Sequence, residues 1–156
     1  MTDDPKQAVH VSLWGEDVSQ QIRTPELSLG ASRISAIAGV RAALLPLQRR
    51  LGGTLKGVVA EGRDIGTVVF PDAPVKFFLT ASAQVRARRR YDELVERGEQ
   101  VSYEQTLREV EERDRADRER PVAPLRQAAD AHLVDCTELS AEEVVAKLQQ
   151  VVEGVG

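Results

Sequence analysis

One short stretch limits the possible folds of this chain more than any other. The apolar run Gly57–Ala60 is typical of a buried strand, predicted here over 55–60, and it leads into a charged turn where Arg63 and Asp64 lie between two glycines. Glycines permit a tight backbone path at the end of a strand. In open α/β sheets, ligands bind at the carboxyl ends of the strands. The stretch therefore predicts a polar site, with Arg63 suited to a phosphate and Asp64 to a sugar or amino group, or else a structural ion pair at a turn.

Strand patterns and helix patterns alternate along the chain. The alternation of apolar and polar residues predicts strands at 9–13, 55–60, 75–79 and 132–136, with a turn at Gly15–Asp17. Four helices are predicted after the capping residues Thr24, Ser82 (or Thr80), Ser102 and Ser140, with capping boxes completed by Gln105 and Glu143. A fifth helix, after a break near Gly39, should end near Gly52. This order favours an α/β fold with a parallel sheet covered by helices on both faces.

Composition excludes several classes of protein. The net charge of -4 over 156 residues gives no electrostatic basis for general nucleic-acid binding. The single cysteine, Cys136, excludes an internal disulfide, fits a reducing cytoplasm and suits a small buried apolar position. His10 and His132 are too far apart for metal-ligand spacing, so no metal site is predicted. The start is acidic and polar, unlike a signal peptide, and no apolar run is long enough to span a membrane.

A second group of charges lies further along the chain. Arg113, Asp117 and Arg120 are spaced so that a helix would place them on one face. Such a face could hold a phosphate and a ribose hydroxyl, or it could be a ladder of surface ion pairs worth about 0.3–0.5 kcal/mol each. Ser32 and Arg41 could similarly form a pocket for a base edge or be surface polar residues. Spacing alone leaves both alternatives open.

Four segments resemble the bacterial cytidylate kinase family. The segments are Gly15–Thr24 (GEDVSQQIRT), Glu61–Leu79 (EGRDIGTVVFPDAPVKFFL), Arg113–Pro124 (RDRADRERPVAP) and Ala128–Ser140 (AADAHLVDCTELS). The similarity runs in order from about Val9 to the end of the chain. It implies the phosphate-loop (P-loop) nucleoside monophosphate kinase fold and transfer of the γ-phosphoryl group of ATP, as its Mg²⁺ complex, to CMP or dCMP.

The resemblance also implies roles for individual residues. Ser32, Arg41 and Asp64 would recognise cytosine, with Arg23 bordering that pocket. Arg63, Arg113 and Arg120 would bind phosphates as the catalytic arginines, with Asp117 on the sugar and Arg90 near ATP. The resemblance also implies a division of the chain into segments. Residues 10–53 would form the monophosphate-binding insert and its helices, 55–80 and 128–156 the core, and 82–126 the lid arm and the following helix.

One family element is missing from the sequence. No glycine-rich phosphate loop with its lysine occurs in the 156 residues, and none of the four lysines has such a loop beside it in sequence. We therefore expect an incomplete kinase domain, arising from a truncated gene product, a misassigned start or a split enzyme, with little activity alone. Two alternatives stay open: a non-catalytic CMP-binding module, and a subunit that docks a separate phosphate-loop chain.

Overall fold

A computed structural model of the protein describes residues 10–53 and 57–155. In chain order these ranges form β1 (Ser12–Leu13), β2 (Glu16–Asp17), α1 (Pro25–Ser35), α2 (Ala38–Gly53), β3 (Phe77–Thr80), α3 (Ala83–Glu96), α4 (Tyr103–Glu119), β4 (His132–Asp135) and α5 (Ala141–Val155). A 3-10 turn occupies Gln21–Arg23, and a π-helical turn occupies Ile65–Val69. The chain divides into two compact units between Ala43 and Leu44, within α2.

The first unit begins with an antiparallel hairpin of β1 and β2. The strand predicted at 9–13 is confirmed for the two residues of β1, while Val9 lies outside the described ranges. Trp14 and Gly15 both have positive φ, at 50° and 89°, as a tight hairpin turn requires. The turn predicted from Gly15 to Asp17 was therefore wrong in position, because the residues after Gly15 already pair with β1.

Local capping explains the start of the first of the two helices that follow. Thr24 caps α1, because its Oγ1 accepts a hydrogen bond from the Leu27 N–H at 3.3 Å, and Pro25 occupies the first turn where its missing N–H costs nothing. α2 continues through Pro46 to Gly53. Both helix predictions are confirmed, except that the break between them falls at 36–37 and not at Gly39.

A parallel pair of strands lies in the second unit. β3 and β4 run side by side in register from Phe77 opposite His132 to Thr80 opposite Asp135, with α3 and α4 between them in sequence. These elements confirm a mixed α/β chain with a parallel sheet and flanking helices. The strand predicted at 55–60 does not form at 57–60, and 54–56 lie outside the described ranges. A strand needs a neighbour for its backbone groups, and none of the described strands lies beside 57–60.

α3 and α4 pack against each other as a helical hairpin. Ser82 caps α3 and Ser102 caps α4 through side-chain oxygens, as predicted. The Ser102 capping box is only half formed, because the Gln105 side chain bonds to Glu109 instead of the cap. α4 ends just before Pro121, as expected.

The last helix has the capping box predicted for it. The Glu143 N–H donates to Ser140 Oγ, and the Ser140 N–H donates back to the Glu143 carboxylate. Cys136, which follows β4, is buried as expected. Among the described helices, none is long and apolar enough to cross a membrane.

Candidate functional site

The first half of the candidate site is the turn at Asp64. Its carbonyl oxygen accepts hydrogen bonds from the N–H groups of Thr67, Val68 and Val69, at 3.3, 2.8 and 3.2 Å. Arg49 supports the same turn, since its Nε donates to the Val69 carbonyl at 3.0 Å and its Nη2 to the Val68 carbonyl at 2.8 Å. The backbone of Asp64 is therefore fixed, and its side chain is buried.

The second half of the site is the end of α4. Asp117 lies in the last turn and is buried, whereas Arg120 follows the last helical residue with extended backbone angles. The loop then folds back: the Leu125 N–H donates to the Asp117 carbonyl at 2.8 Å, and Arg120 Nε donates to the Ala123 carbonyl at 2.5 Å. The prediction that one helix face holds Arg113, Asp117 and Arg120 is thus corrected for Arg120, which this return loop positions.

Two crossed ion pairs join these halves. Arg63 Nε donates to Asp117 Oδ2 at 2.7 Å, and Arg120 Nη2 lies 3.6 Å from Asp64 Oδ1. Three of the four side chains are less than a tenth exposed, while the Arg63 side chain is 43% exposed. We call Arg63, Asp64, Asp117 and Arg120 the charged quartet. Its two cations and two anions compensate one another, which lowers the cost of burying them.

Arg120 has an unused hydrogen-bond donor. Its Nη2 atom is buried, has no hydrogen-bond partner among the residues that the structure describes, and lies 3.6 Å from Asp64 Oδ1, too far for a hydrogen bond. A buried guanidinium nitrogen without a hydrogen bond is costly, and a planar fork of this kind matches the oxygens of a phosphate or carboxylate. The exposed part of Arg63 adds a second donor group on the accessible side. The quartet is therefore suited to an incoming anion.

Two predicted arginines of the second unit lie outside the quartet. Arg113 is exposed on α4, and its side chain makes no hydrogen bond or ion pair with any residue of the described ranges. Arg90, on α3, forms an ion pair with Glu93 at 2.9 Å. The nucleotide roles of Arg113 and Arg90 stay predictions of the sequence resemblance.

The remaining predicted residues belong to the first unit. Arg23 ends the 3-10 turn, and its side chain is outside the described set. Ser32 is half-buried on α1, where its carbonyl accepts a 2.8 Å hydrogen bond from Ser35 Oγ. Arg41 Nη1 donates to the Ser35 carbonyl at 3.3 Å. Ser32 and Arg41 are thus linked through the end of α1, although nine residues apart in sequence.

Sequence reasoning missed a bidentate ion pair between α3 and α4. Arg86 Nη1 and Nη2 contact the two carboxylate oxygens of Asp114 at 2.8 and 2.5 Å. Arg89, one turn along α3, donates to the Cys136 and Leu139 carbonyls at 2.8 and 2.9 Å. Both arginines lie in a run of charges with no distinguishing spacing, so only the packing of α3 on α4 identifies their partners.

A separate hollow of about 460 Å³ opens beside the strands. It is lined by 66–68, Pro71, Lys76 and residues of 123–130, and by none of the quartet side chains. Lys76 is buried there and bonds to Asp130 at 2.5 Å, which lowers the pKa of that carboxyl below its ordinary value. Among the described residues, no group of three or more side chains could hold a metal ion.

Comparison with known proteins gives a consistent family. A family model described as cytidylate kinase matches residues 3–154. A cytidylate kinase of Geobacter sp. (strain M21) is 53% identical over 94% of this chain and 63% of its own length. That of Methylococcus capsulatus is 53% identical over 92% of this chain and 64% of its own. That of Syntrophotalea carbinolica is 56% identical over 91% of this chain and 60% of its own. The chain thus spans less than two thirds of the length of these relatives.

Proposed function

This chain belongs to the cytidylate kinase family, and we propose that it supplies the acceptor side of a kinase that transfers the γ-phosphoryl group of ATP to CMP or dCMP. The observation that supports this most is the buried Nη2 of Arg120, a hydrogen-bond donor in the charged quartet for which the described ranges 10–53 and 57–155 supply no acceptor. The anion-binding chemistry of the quartet agrees with the phosphate roles that the sequence resemblance implies for Arg63 and Arg120. The relatives named cytidylate kinase are longer than this chain. The part that this chain plays in the kinase reaction is our proposal.

Within the quartet, the arginines bind phosphate and the aspartates bind the nucleoside. Arg120 presents Nη2 from a buried position, and the half-exposed Arg63 presents its fork from the accessible side. Arg113, exposed one turn before Asp117 on α4, provides a third cation for the phosphates. Asp117 binds the sugar hydroxyls, for which its carboxylate is a strong acceptor.

We assign cytosine recognition to Asp64, Ser32 and Arg41, as the sequence resemblance implies. Asp64 accepts hydrogen bonds from the exocyclic amino group of cytosine, and Ser32 and Arg41 contact the base edge. The hydrogen bond from Arg41 to the Ser35 carbonyl supports a shared role, because it holds the Arg41 side chain at the end of α1, the helix that carries Ser32. Arg23 borders the same pocket.

The physical basis of this catalysis is positioning and charge. Phosphoryl transfer requires little covalent chemistry from the protein, and its transition state spreads negative charge over the phosphoryl oxygens. In the quartet each guanidinium is already held by a carboxylate or a carbonyl before any nucleotide is bound. Little reorganisation is then needed when the acceptor phosphate arrives, so the donors point at the developing charge from the start.

We assign fewer residues of this chain to ATP and its metal ion than to the acceptor nucleotide. We assign the lid arm, which forms the first part of the segment 82–126, to ATP, with Arg90 as the residue that contacts the triphosphate or its base. ATP acts in such kinases as its Mg²⁺ complex, which neutralises phosphate charge. The described residues provide no cluster of metal ligands, so we assign no Mg²⁺ ligand to them. Because the 156 residues contain no glycine-rich phosphate loop, we propose that the chain alone binds CMP but transfers phosphoryl groups poorly.

Separate calorimetric titrations with CMP and with ATP test this proposal. We expect saturable CMP binding, weak or absent ATP binding, and loss of about 1.5–3 kcal/mol of CMP binding free energy in Arg41→Ala and in Asp64→Asn. Asp72→Asn, at an exposed turn of the same segment, is the matched control and should bind as the parent does. Unchanged CMP affinity in both site variants would rule out the assigned pocket. Rapid ATP-dependent CMP phosphorylation by the purified chain would contradict the proposal that this chain supplies only the acceptor side of the kinase.

A further inference from the structure

Asp114 occupies a connecting position between α3, α4 and the quartet. Its two carboxylate oxygens are held by the fork of Arg86, and Arg118 Nη2 lies 3.6 Å from the same carboxylate. The Asp114 side chain is only 16% exposed, far less than is usual for an acidic residue on a helix surface. It lies one helical turn before Asp117, on the same side of α4.

Arg86, the partner of Asp114, is hydrogen-bonded to the residue that follows β3. Arg86 Nε donates to the carbonyl of Ala81, the residue that follows β3, at 3.0 Å. The next residue, Ser82, donates its N–H to Thr137 Oγ1 at 3.0 Å, beyond the end of β4. A continuous set of contacts therefore runs from the carboxyl ends of both strands through Arg86 to Asp114, and along α4 to the quartet.

We propose that Asp114 is a positioning residue that fixes the end of α4, so that Asp117 and Arg120 meet Arg63 and Asp64 in the geometry that binds nucleotide. A bidentate guanidinium–carboxylate pair fixes direction as well as distance, which a single ion pair does not. Asp114 and Asp117 lie on the same helix, one turn apart. A small rotation or slide of α4 would therefore move Asp117 away from its 2.7 Å contact with Arg63. The nucleotide part of this inference depends on the function proposed above.

The inference predicts effects on the quartet without nucleotide. Hydrogen exchange of arginine Nε–H groups, followed by nuclear magnetic resonance, reports on this directly. In the parent chain the Nε–H groups of Arg63 and Arg120 are both hydrogen-bonded and should exchange slowly. Asp114→Asn keeps the size of the side chain but loses the carboxylate that accepts both Nη groups of Arg86. We therefore expect exchange at the Nε–H groups of Arg63 and Arg120 to rise at least about fivefold, while exchange of the β3 and β4 amides stays unchanged.

Matched variants separate positioning from general stability. Arg86→Lys keeps both charges but loses the bidentate geometry, so it should have the same effect as Asp114→Asn. Asp114→Glu keeps a carboxylate and should restore slow exchange in part. Glu109→Gln removes an exposed carboxylate from the same helix and should change nothing at the quartet.

CMP affinity completes the test. Asp114→Asn should weaken CMP binding by roughly tenfold, as small misplacements of binding groups do, and Glu109→Gln should not. If the parent chain fails to bind CMP, the proposed function fails, and the exchange measurement still decides the positioning role. The inference is overturned if Asp114→Asn and Arg86→Lys leave both Nε–H groups unchanged, or if the amides of β3 and β4 lose protection to the same extent. It is equally overturned if the quartet loosens while CMP affinity stays at the parent value.

Discussion

The charged quartet and the ion pairs on the surface of α3 use the same residue types in opposite ways. On α3, Glu93 contacts Arg90 and Arg97, which are its neighbours on successive turns, and all three side chains are 30% to 44% exposed. In the quartet, Arg120 and Asp64 are 7% and 9% exposed and come from distant parts of the chain. Charge patterns that look alike in the sequence therefore have different energetic weight.

The difference lies in what each charge loses when its partner is removed. A surface charge returns to water, and exposed pairs contribute only about 0.2–1 kcal/mol. A buried charge left without compensation costs far more. We therefore expect substitutions in the quartet to affect stability or binding strongly, and those on α3 to have small effects.

The largest effect should follow from Asp64→Ala. This variant leaves the buried Arg120 guanidinium without its carboxylate, and we expect a loss of about 3–5 kcal/mol in the free energy of unfolding. Urea denaturation followed by circular dichroism measures it, with Asp72→Ala as the exposed control. A loss no greater than that of the control would mean that the quartet is no more sensitive than the surface.

Asp117→Ala should have a smaller effect. Its partner Arg63 is 43% exposed, so the guanidinium can turn towards water when the carboxylate is removed. We expect a loss of about 1.5–3 kcal/mol in the free energy of unfolding, from a hydrogen bond to a charged group. The same denaturation experiment gives the ranking of the two pairs. If Asp117→Ala costs more than Asp64→Ala, burial is not what sets the difference between them.

In the hairpin of the first unit, local hydrogen bonds change the pKa of an exposed carboxylate, that of Asp17. Hydrogen bonds from the Ser19 hydroxyl and backbone lower the pKa of Asp17 from 3.8 to about 2, with His10 adding to the effect. Folding therefore favours the carboxylate, and this stabilisation is complete above 3.8 and is lost as the pH falls from there to about 2.

Ser19→Ala removes the hydroxyl contribution, which is the largest of these. We expect the pKa of Asp17 to rise towards its ordinary value, as measured by a carboxyl-detected titration. Asp130, whose low pKa comes from Lys76, should be unaffected and serves as the control. An unchanged pKa of Asp17 would show that the hydroxyl does not hold this carboxylate.

The smallest effect should follow from Glu93→Gln. This change removes both surface pairs of α3 at once, and we expect less than about 1 kcal/mol by denaturation. A loss comparable to that of Asp117→Ala would erase the distinction between the two kinds of charge.

The sequence identified much of the site because local chemistry marks it. Arg63 and Asp64 were recognisable from the glycines around them, and Thr24, Ser82, Ser102 and Ser140 marked four helix starts that the structure confirms. These features depend on neighbouring residues only, so a one-dimensional pattern is sufficient to find them.

The rest depends on contacts that no local pattern encodes. Spacing placed Arg113 and Arg120 together on one helix, whereas the return loop at Ala123 turns Arg120 towards Asp64. The Arg86–Asp114 fork joins two helices through their packing. The strand predicted at 55–60 fails at 57–60 because a strand also requires a pairing neighbour, which the apolar pattern does not supply.

The central claim is that the quartet receives the acceptor nucleotide, and one titration tests it most directly. CMP is added to the isotopically labelled chain while the arginine Nε–H resonances are recorded. We predict that the resonances of Arg63 and Arg120 move saturably with CMP, while that of Arg97 on the surface of α3 stays in place. Saturable CMP binding that leaves Arg63 and Arg120 unmoved, or the absence of any saturable change, would contradict the claim.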